Sequence, residues 1–278
     1  MNLSRHEALK PIVIGRIPFL VCAPFFHSGL DQSASSQVIY IDGTPSLQNE
    51  WLRSGKVDMS PTSSLEYASR PDDYLLLPRL CTSGKLEIRS VRLFSQLPWD
   101  QLNGKRVQLS NDSATSNALF RILSIRRFGV KPIEVNLAVG TVVARVLIGD
   151  AALREVEIGE WPYAYDLAVE WKSWQDLPFA FGLWLVRKSV AEQRRQEVLK
   201  IAEFLRESVQ SFADDPNAAL AKWLKYYPSP LPLETIRDFY ASADYHLTPN
   251  HLESLRRYFS LAYAEGFIQS IPELRFVA

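Results

Sequence analysis

The chain has 278 residues, 47% of them hydrophobic, enough to bury a large core and to form two lobes. Its 31 basic and 31 acidic side chains cancel, which leaves no broad positive field for nucleic acid and no cationic face for a membrane. Two cysteines, Cys22 and Cys81, exclude a disulfide framework, and no apolar run is long enough to span a bilayer.

Residues 1–11 include Arg5, His6, Glu7 and Lys10 and lack the apolar core of a signal peptide, so a cytoplasmic protein is expected. β-Branched runs predict strands at Pro11 to Ile17 and Gln37 to Ile41. A helix follows between Thr44 and Gly55, with Thr44 as cap, Pro45 at its first position and Gly55 as its stop. A short strand over Val57 to Ser60 leads into Thr62-Ser63-Ser64-Leu65-Glu66-Tyr67, where Ser63 and Glu66 have the spacing of a capping box. Further strands are expected at Tyr74 to Leu77, Ile88 to Ser95 and Arg106 to Leu109, with a helix from Ser113 to Phe128. Short strands near Glu134 to Asn136 and Val146 to Gly149 and a buried one over Phe179 to Val186 complete the alternation, which predicts an α/β fold with a largely parallel sheet. Beyond Val186 only helices are expected: Ala191 to Phe212, then segments near Ala218 to Tyr226, Leu233 to Ala241 and Asn250 to Ala264. Trp223, Tyr226, Tyr227 and Tyr240 read as packing residues.

The stretch from Leu109 to Leu119 concentrates hydroxyl and amide groups where a strand gives way to a helix. The first amides of a helix lack backbone acceptors and carry the positive end of its dipole, so Ser113, Thr115 and Ser116 suit a cradle for a carboxylate or phosphate; an over-supplied N-cap is the plainer alternative. Catalytic machinery of the usual kinds is thin. His6, His27, His246 and His251 are scattered without metal-ligand spacing, and no phosphate-binding glycine loop or nucleophile elbow occurs, so neither metal nor cofactor is expected. Cys22 reads as a small buried residue, with a thiol in a cleft as the alternative.

The order of motifs resembles the chorismate dehydratase family of the futalosine route to menaquinone, a branch of the type II periplasmic-binding-protein fold. The resemblance runs from about Ile14 to Arg187. It is carried by Gly43-Thr44-Pro45-Ser46-Leu47-Gln48-Asn49, Gly55-Lys56-Val57-Asp58, Ser63-Ser64-Leu65-Glu66-Tyr67-Ala68, Tyr74-Leu75-Leu76-Leu77-Pro78, Ser90-Val91-Arg92-Leu93-Phe94-Ser95, Ser113-Ala114-Thr115-Ser116, Ile148-Gly149-Asp150-Ala151-Ala152-Leu153, and Asp166-Leu167 with Glu170-Trp171.

The resemblance implies a two-lobed α/β fold with a helical C-terminal segment. Lobe one would hold residues 1–95 and 185–278 and lobe two residues 96–177, with crossings near 93–97 and 178–184. It further implies a lyase that removes water from the cyclohexadiene ring of chorismate to give 3-[(1-carboxyvinyl)oxy]benzoate. Such a dicarboxylate needs anion cradles on both sides of a cleft, for which Ser63, Ser64 and Ser90 are the candidates from lobe one and Ser113, Thr115 and Ser116 from lobe two. Asp150, in a Gly-Asp-Ala turn, is a further cleft candidate or else a turn carboxylate. Arg16, Arg79 and Arg89 read as solvated charges. The family's Ser-Tyr-Leu-Asn segment, with its active-site asparagine, is replaced here by Pro18-Phe19-Leu20-Val21. Val21 can neither donate nor accept, so a diverged non-catalytic binder of chorismate or a related carboxylate is the alternative. A third reading, the naphthoate-forming enzyme of the same route and fold, would require a cleft histidine, for which His27 is the nearby candidate.

Overall fold

The computed structural model describes residues 10–30, 38–135 and 140–278. Arg5, His6 and Glu7, on which the reading of the N-terminus rested, lie outside the described residues, as do Gln37 and Asn136 at the ends of two expected strands. Strand β1 (Ile12–Arg16), helix α1 (Ala23–Phe26) and strand β2 (Val38–Asp42) come first. Helix α2 (Pro45–Ser54) starts at Thr44, whose Oγ1 accepts from Leu47 N at 3.5 Å, and stops at Gly55, which adopts the left-handed conformation with φ 79°. There follow β3 (Met59–Ser63), α3 (Ser64–Ser69), β4 (Tyr74–Gly84), β5 (Val91–Ser95) and β6 (Arg106–Gln108). Helix α4 (Ala114–Ile122) continues into a π-helical turn over Leu123–Arg127 and leads to β7 (Ile133–Val135) and β8 (Ala144–Ile148). After α5 (Gly149–Ile158), β9 (Tyr163–Asp166), α6 (Leu167–Gln175) and β10 (Gly182–Arg187), the chain forms α7 (Lys188–Gln193), α8 (Arg195–Asp214), α9 (Pro216–Tyr226), α10 (Leu233–Ser242), β11 (Ala243–Asp244) and α11 (Pro249–Ala264).

The strands make two mixed sheets. The first has the order β11-β4-β10-β3-β1-β2, with β1 parallel to β2 and β3, and β10 antiparallel to β3 and β4. The second has the order β7-β6-β8-β5-β9, with β6 parallel to β7 and β8, and β5 antiparallel to β8 and β9. The expectation of a largely parallel sheet fails at β5 and β10. Each enters its sheet directly from the other half, without the crossover that parallel pairing requires. The chain passes between sheets at residues 85–90 and again at 176–181. Strand β5, which a boundary at residue 95 would leave in lobe one, is an inner strand of the second sheet.

Local departures have local causes. Strand β4 runs on through Pro78 and Arg79, where φ is 65° and the pairing with β10 slips, so a bulge absorbs the residues that suggested a strand end. The capping box is only half formed: Ser63 Oγ accepts from Glu66 N at 3.3 Å, but the Glu66 carboxylate accepts from Arg53 Nε and Tyr74 Oη instead. Asp150 sits in the first turn of α5, a helix absent from the sequence reading along with α6 and β9. The stripe on α8 is buried at Val198, Ala202, Leu205, Val209 and Phe212. Trp223 is likewise buried, whereas Tyr226, read as a core or packing residue, is 46% exposed. Helix α11 packs on both α3 and α4, tying the two halves together: Tyr258 Oη donates to Thr115 O at 3.3 Å, and Trp171 Nε1 of α6 donates to Ser254 Oγ at 2.9 Å. Among the described residues no helix is long and apolar enough to cross a membrane.

Candidate functional site

A cavity lies between the two sheets and contains about 680 Å³ of empty space, its mouth included. From the first half come Ile17, Phe19, Val21 and Cys22 after β1, Pro45 at the start of α2, Pro61, Thr62 and Ser63 at the end of β3, Thr82 of β4, and Phe181 and Gly182 at the start of β10. The crossing contributes Ile88 and Ser90, and the second half contributes Val91, Asp112, Ser113, Ser116, Ile148 and Gly149. The walls are mostly apolar, as suits a ring, and Asp112 is the one charged side chain among these residues. At the rim Asp112 Oδ1 accepts from Ser46 Oγ across the two halves at 3.0 Å.

Four of the seven candidate residues meet in this cavity: Ser63, Ser90, Ser113 and Ser116. Ser113 caps α4, accepting from Ser116 N at 3.1 Å and donating to Ser116 Oγ at 2.7 Å, which leaves the Ser116 proton to donate. The first-turn amides of Ala114 and Thr115 lack intrahelical acceptors, so this helix start offers donors to an anion. Ser90 is positioned through its backbone: its N donates to Ile88 O at 2.6 Å and its O accepts from Gly149 N at 2.7 Å.

Ser64 and Thr115 are also brought together, but behind the cavity wall. Their hydroxyls share a hydrogen bond of 3.3 Å and Thr115 Oγ1 accepts from Leu65 N at 3.0 Å, so both are spent on joining the halves. Asp150 likewise holds the wall. It accepts from Leu20 N at 3.2 Å while Tyr240 Oη donates to Leu20 O at 2.7 Å, pinning the segment that places Phe19, Val21 and Cys22. Cys22 both lines the cavity and is buried, and burial pushes its thiol up, so it stays protonated. His27 is buried against Phe212, within 3.2 Å of Ser208 Oγ and of Ser28 Oγ, and does not line the cavity. Neither do Arg16, Arg79 and Arg89; Arg16 pairs with Asp42, and Arg89 with Glu87 and Asp238.

The sequence reading missed Thr62, Thr82, Gly182 and Asp166. Asp166 is 6% exposed and caps α6 through Ala168 N, while also accepting from Ile88 N at 3.2 Å and Arg89 N at 2.7 Å, with Arg92 Nη2 3.7 Å away. It thereby fixes the crossing that presents Ile88 and Ser90, with Arg89 at φ 60°. The Asp-Leu pair before Trp171 signals a cap, but nothing in its spacing signals a crossing nearly eighty residues earlier.

Burial is the main reason that the Asp150 carboxyl is pushed up to about 6 from its ordinary 3.8; the Leu20 amide and Arg154 pull it the other way. The folded protein therefore binds this proton more tightly than the unfolded chain, and the resulting stabilisation is full below 3.8 and lost as pH rises through about 6. The loss is on the order of 2 to 3 kcal/mol. Asp150→Asn, which keeps an acceptor for Leu20 N, is expected to flatten this part of the pH profile and to raise stability near pH 7. Urea denaturation across that window measures both, and a profile like that of the wild type would refute the assignment.

Solved structures of similar fold define the class. A protein of Archaeoglobus fulgidus matches with a TM-score of 0.75 at 19% identity, over 95% of this chain and 100% of that one. The alkanesulfonate-binding protein of Xanthomonas axonopodis pv. citri, bound to MOPS, matches with a TM-score of 0.70 at 16% identity, over 97% and 96%. The periplasmic aliphatic sulphonate binding protein of Escherichia coli gives 0.68 at 12% identity, over 96% and 91%. The likeness is one of fold: the chain is a two-lobed α/β protein of periplasmic-binding-protein type. It belongs to the menaquinone biosynthesis family, whose model matches residues 12–264. It is also similar to the chorismate dehydratase of Thermus thermophilus, 29% identical over 203 residues that cover 65% of this chain and 71% of that protein.

Proposed function

We propose that this chain is a chorismate dehydratase, a carbon-oxygen lyase acting in the cytoplasm, with its lobes divided at residues 85–90 and 176–181. The observation that carries the reading is the cavity: apolar walls, hydroxyls converging from both halves and no lysine, arginine or histidine among its lining residues. A small dicarboxylate suits such a place when its charges rest on helix amides and hydroxyls, each charge-assisted bond contributing about 1.5 to 3 kcal/mol. One carboxylate is assigned to the start of α4, with Ser116 as donor, and Ser90 to the opposite side of the ring.

Dehydration removes the ring hydroxyl and the hydrogen on the neighbouring ether carbon as water, and the ring becomes aromatic with the enolpyruvyl ether intact. The protein's share is to hold the ring, exclude water and assist departure of hydroxide. A carboxylate of the substrate shares in moving the ring proton, which ends on the departing hydroxide as water, and this accounts for a site without a histidine base.

Incubation with chorismate is expected to yield 3-[(1-carboxyvinyl)oxy]benzoate, identified by mass spectrometry. Tight binding of chorismate without turnover would replace this reading with that of a non-catalytic binder. Ser90→Ala and Ser116→Ala are each expected to lower affinity for chorismate about tenfold or more, the worth of one charge-assisted hydrogen bond. Unchanged affinity in both variants would remove the anion-cradle assignment.

A further inference from the structure

On the first-half side, the cavity floor is a row of three residues in register across three strands: Ser63 of β3, Gly182 of β10 and Thr82 of β4. All three line the cavity, while the next row, Leu183 and Cys81, is turned to the opposite face and buried. Gly182 carries no side chain to rise between the two hydroxyls, and Thr82 Oγ1 leans over the bare strand, 2.4 Å from where a methyl on Gly182 would stand. The ends of the row differ. Ser63 lies beside the start of α4, since its neighbour Ser64 shares a hydrogen bond with Thr115, and its Oγ already accepts from Glu66 N. Thr82 lies at the far end. It is half-buried, its carbonyl accepts from Phe181 N at 2.9 Å, and among the described residues no group hydrogen-bonds its Oγ1. With adjacent strands about 4.8 Å apart, Ser63 and Thr82 stand about 10 Å from each other.

We propose that Thr82 hydrogen-bonds a hydroxyl standing para to the carboxylate held at α4, which in chorismate is the ring hydroxyl, so that this row measures the ligand across its ring. The inference rests on the reading above for the carboxylate at α4. The span follows from the row: a six-membered ring laid over Gly182, with its carboxylate at the Ser63 end, brings the para substituent to the Thr82 end. The choice of a hydroxyl follows from charge. Phe181 and Ile88 share the cavity with Thr82, and Asp112, the one charged side chain of the lining, is engaged with Ser46 at the rim. A lone neutral donor among apolar side chains cannot repay the desolvation of a second carboxylate, whereas one hydrogen bond satisfies a neutral hydroxyl. The row therefore selects ring acids that bear a hydroxyl opposite the carboxylate.

The test titrates benzoate and 4-hydroxybenzoate, neither of which can lose water in the proposed reaction, into the full chain and into its Thr82→Val and Thr82→Ser variants. The wild type is expected to hold 4-hydroxybenzoate about fivefold or more tighter than benzoate, the worth of one hydrogen bond. Thr82→Val, which keeps shape and removes the hydroxyl, is expected to bring the two acids within about twofold of each other while benzoate affinity stays as in the wild type. Thr82→Ser is expected to keep the preference. A side chain with only a structural role would move both acids alike. Ser116→Ala is expected to weaken both acids equally, because they share the carboxylate end. With chorismate as substrate, Thr82→Val is expected to lower kcat/KM about fivefold or more. Equal affinity of the wild type for the two acids, or a preference that survives Thr82→Val, would overturn the proposal. A wild type that shows the preference but does not turn chorismate over would remove the proposed function alone.

Discussion

Asp166→Ala is expected to destabilise the protein by about 3 to 5 kcal/mol, the range for removing one partner from a buried, charge-bearing network. The carboxylate accepts from the cap of α6 and from the amides of Ile88 and Arg89, and it lies 3.7 Å from Arg92. Burial raises its pKa, Arg92 and the amides opposing the shift, so it is a carboxylate kept in place by its donors. Without it, two amides of the crossing lose their acceptor and Arg89 loses the tie that keeps it at positive φ. Activity is expected to fall further than stability, because Ser90 moves with the crossing. Urea denaturation with chorismate turnover measures both; a loss under about 1 kcal/mol would show that the network is not what holds the crossing.

Gly182→Ala is expected to reduce ligand affinity about a hundredfold while costing about 1 to 3 kcal/mol of stability. A methyl group built on Gly182 would come within 2.4 Å of Thr82 Oγ1, and both residues line the cavity. The Thr82 hydroxyl must turn away and the added carbon takes space that the ring requires. Calorimetric titration with the product analogue, beside thermal unfolding, separates occlusion from misfolding. Affinity like that of the wild type would place the ligand elsewhere.

The legible parts of this chain were those with local chemistry. Thr44, Pro45 and Gly55 announce α2, and Ser113 announces α4, because caps act within a few residues of themselves. The serines at both helix starts could be suspected for the same reason. What the sequence could not rank was which hydroxyls remain available: Ser64 and Thr115 have the same local signature as Ser63 and Ser116, yet they bond each other across fifty residues. Asp150 was ambiguous in the same way, since its partner, Leu20 N, lies far along the chain. Thr82 and Gly182 carry no local signal at all. Their importance arises where β3, β10 and β4 lie side by side, a juxtaposition fixed by two antiparallel pairings that an alternating strand-helix pattern does not encode.

Helix α11, last in the sequence, ties the two halves together on the side of Thr115. By its place in the chain it belongs with the first sheet, yet it also grips the second through Tyr258 and Ser254. On the rim the halves meet through a solvent-facing bond between Ser46 and Asp112, a contact that costs less to break than the buried ones. Breaking the rim bond frees two polar groups that water can serve at once, whereas parting the halves at Thr115 would strip the packing from Tyr258 and Trp171.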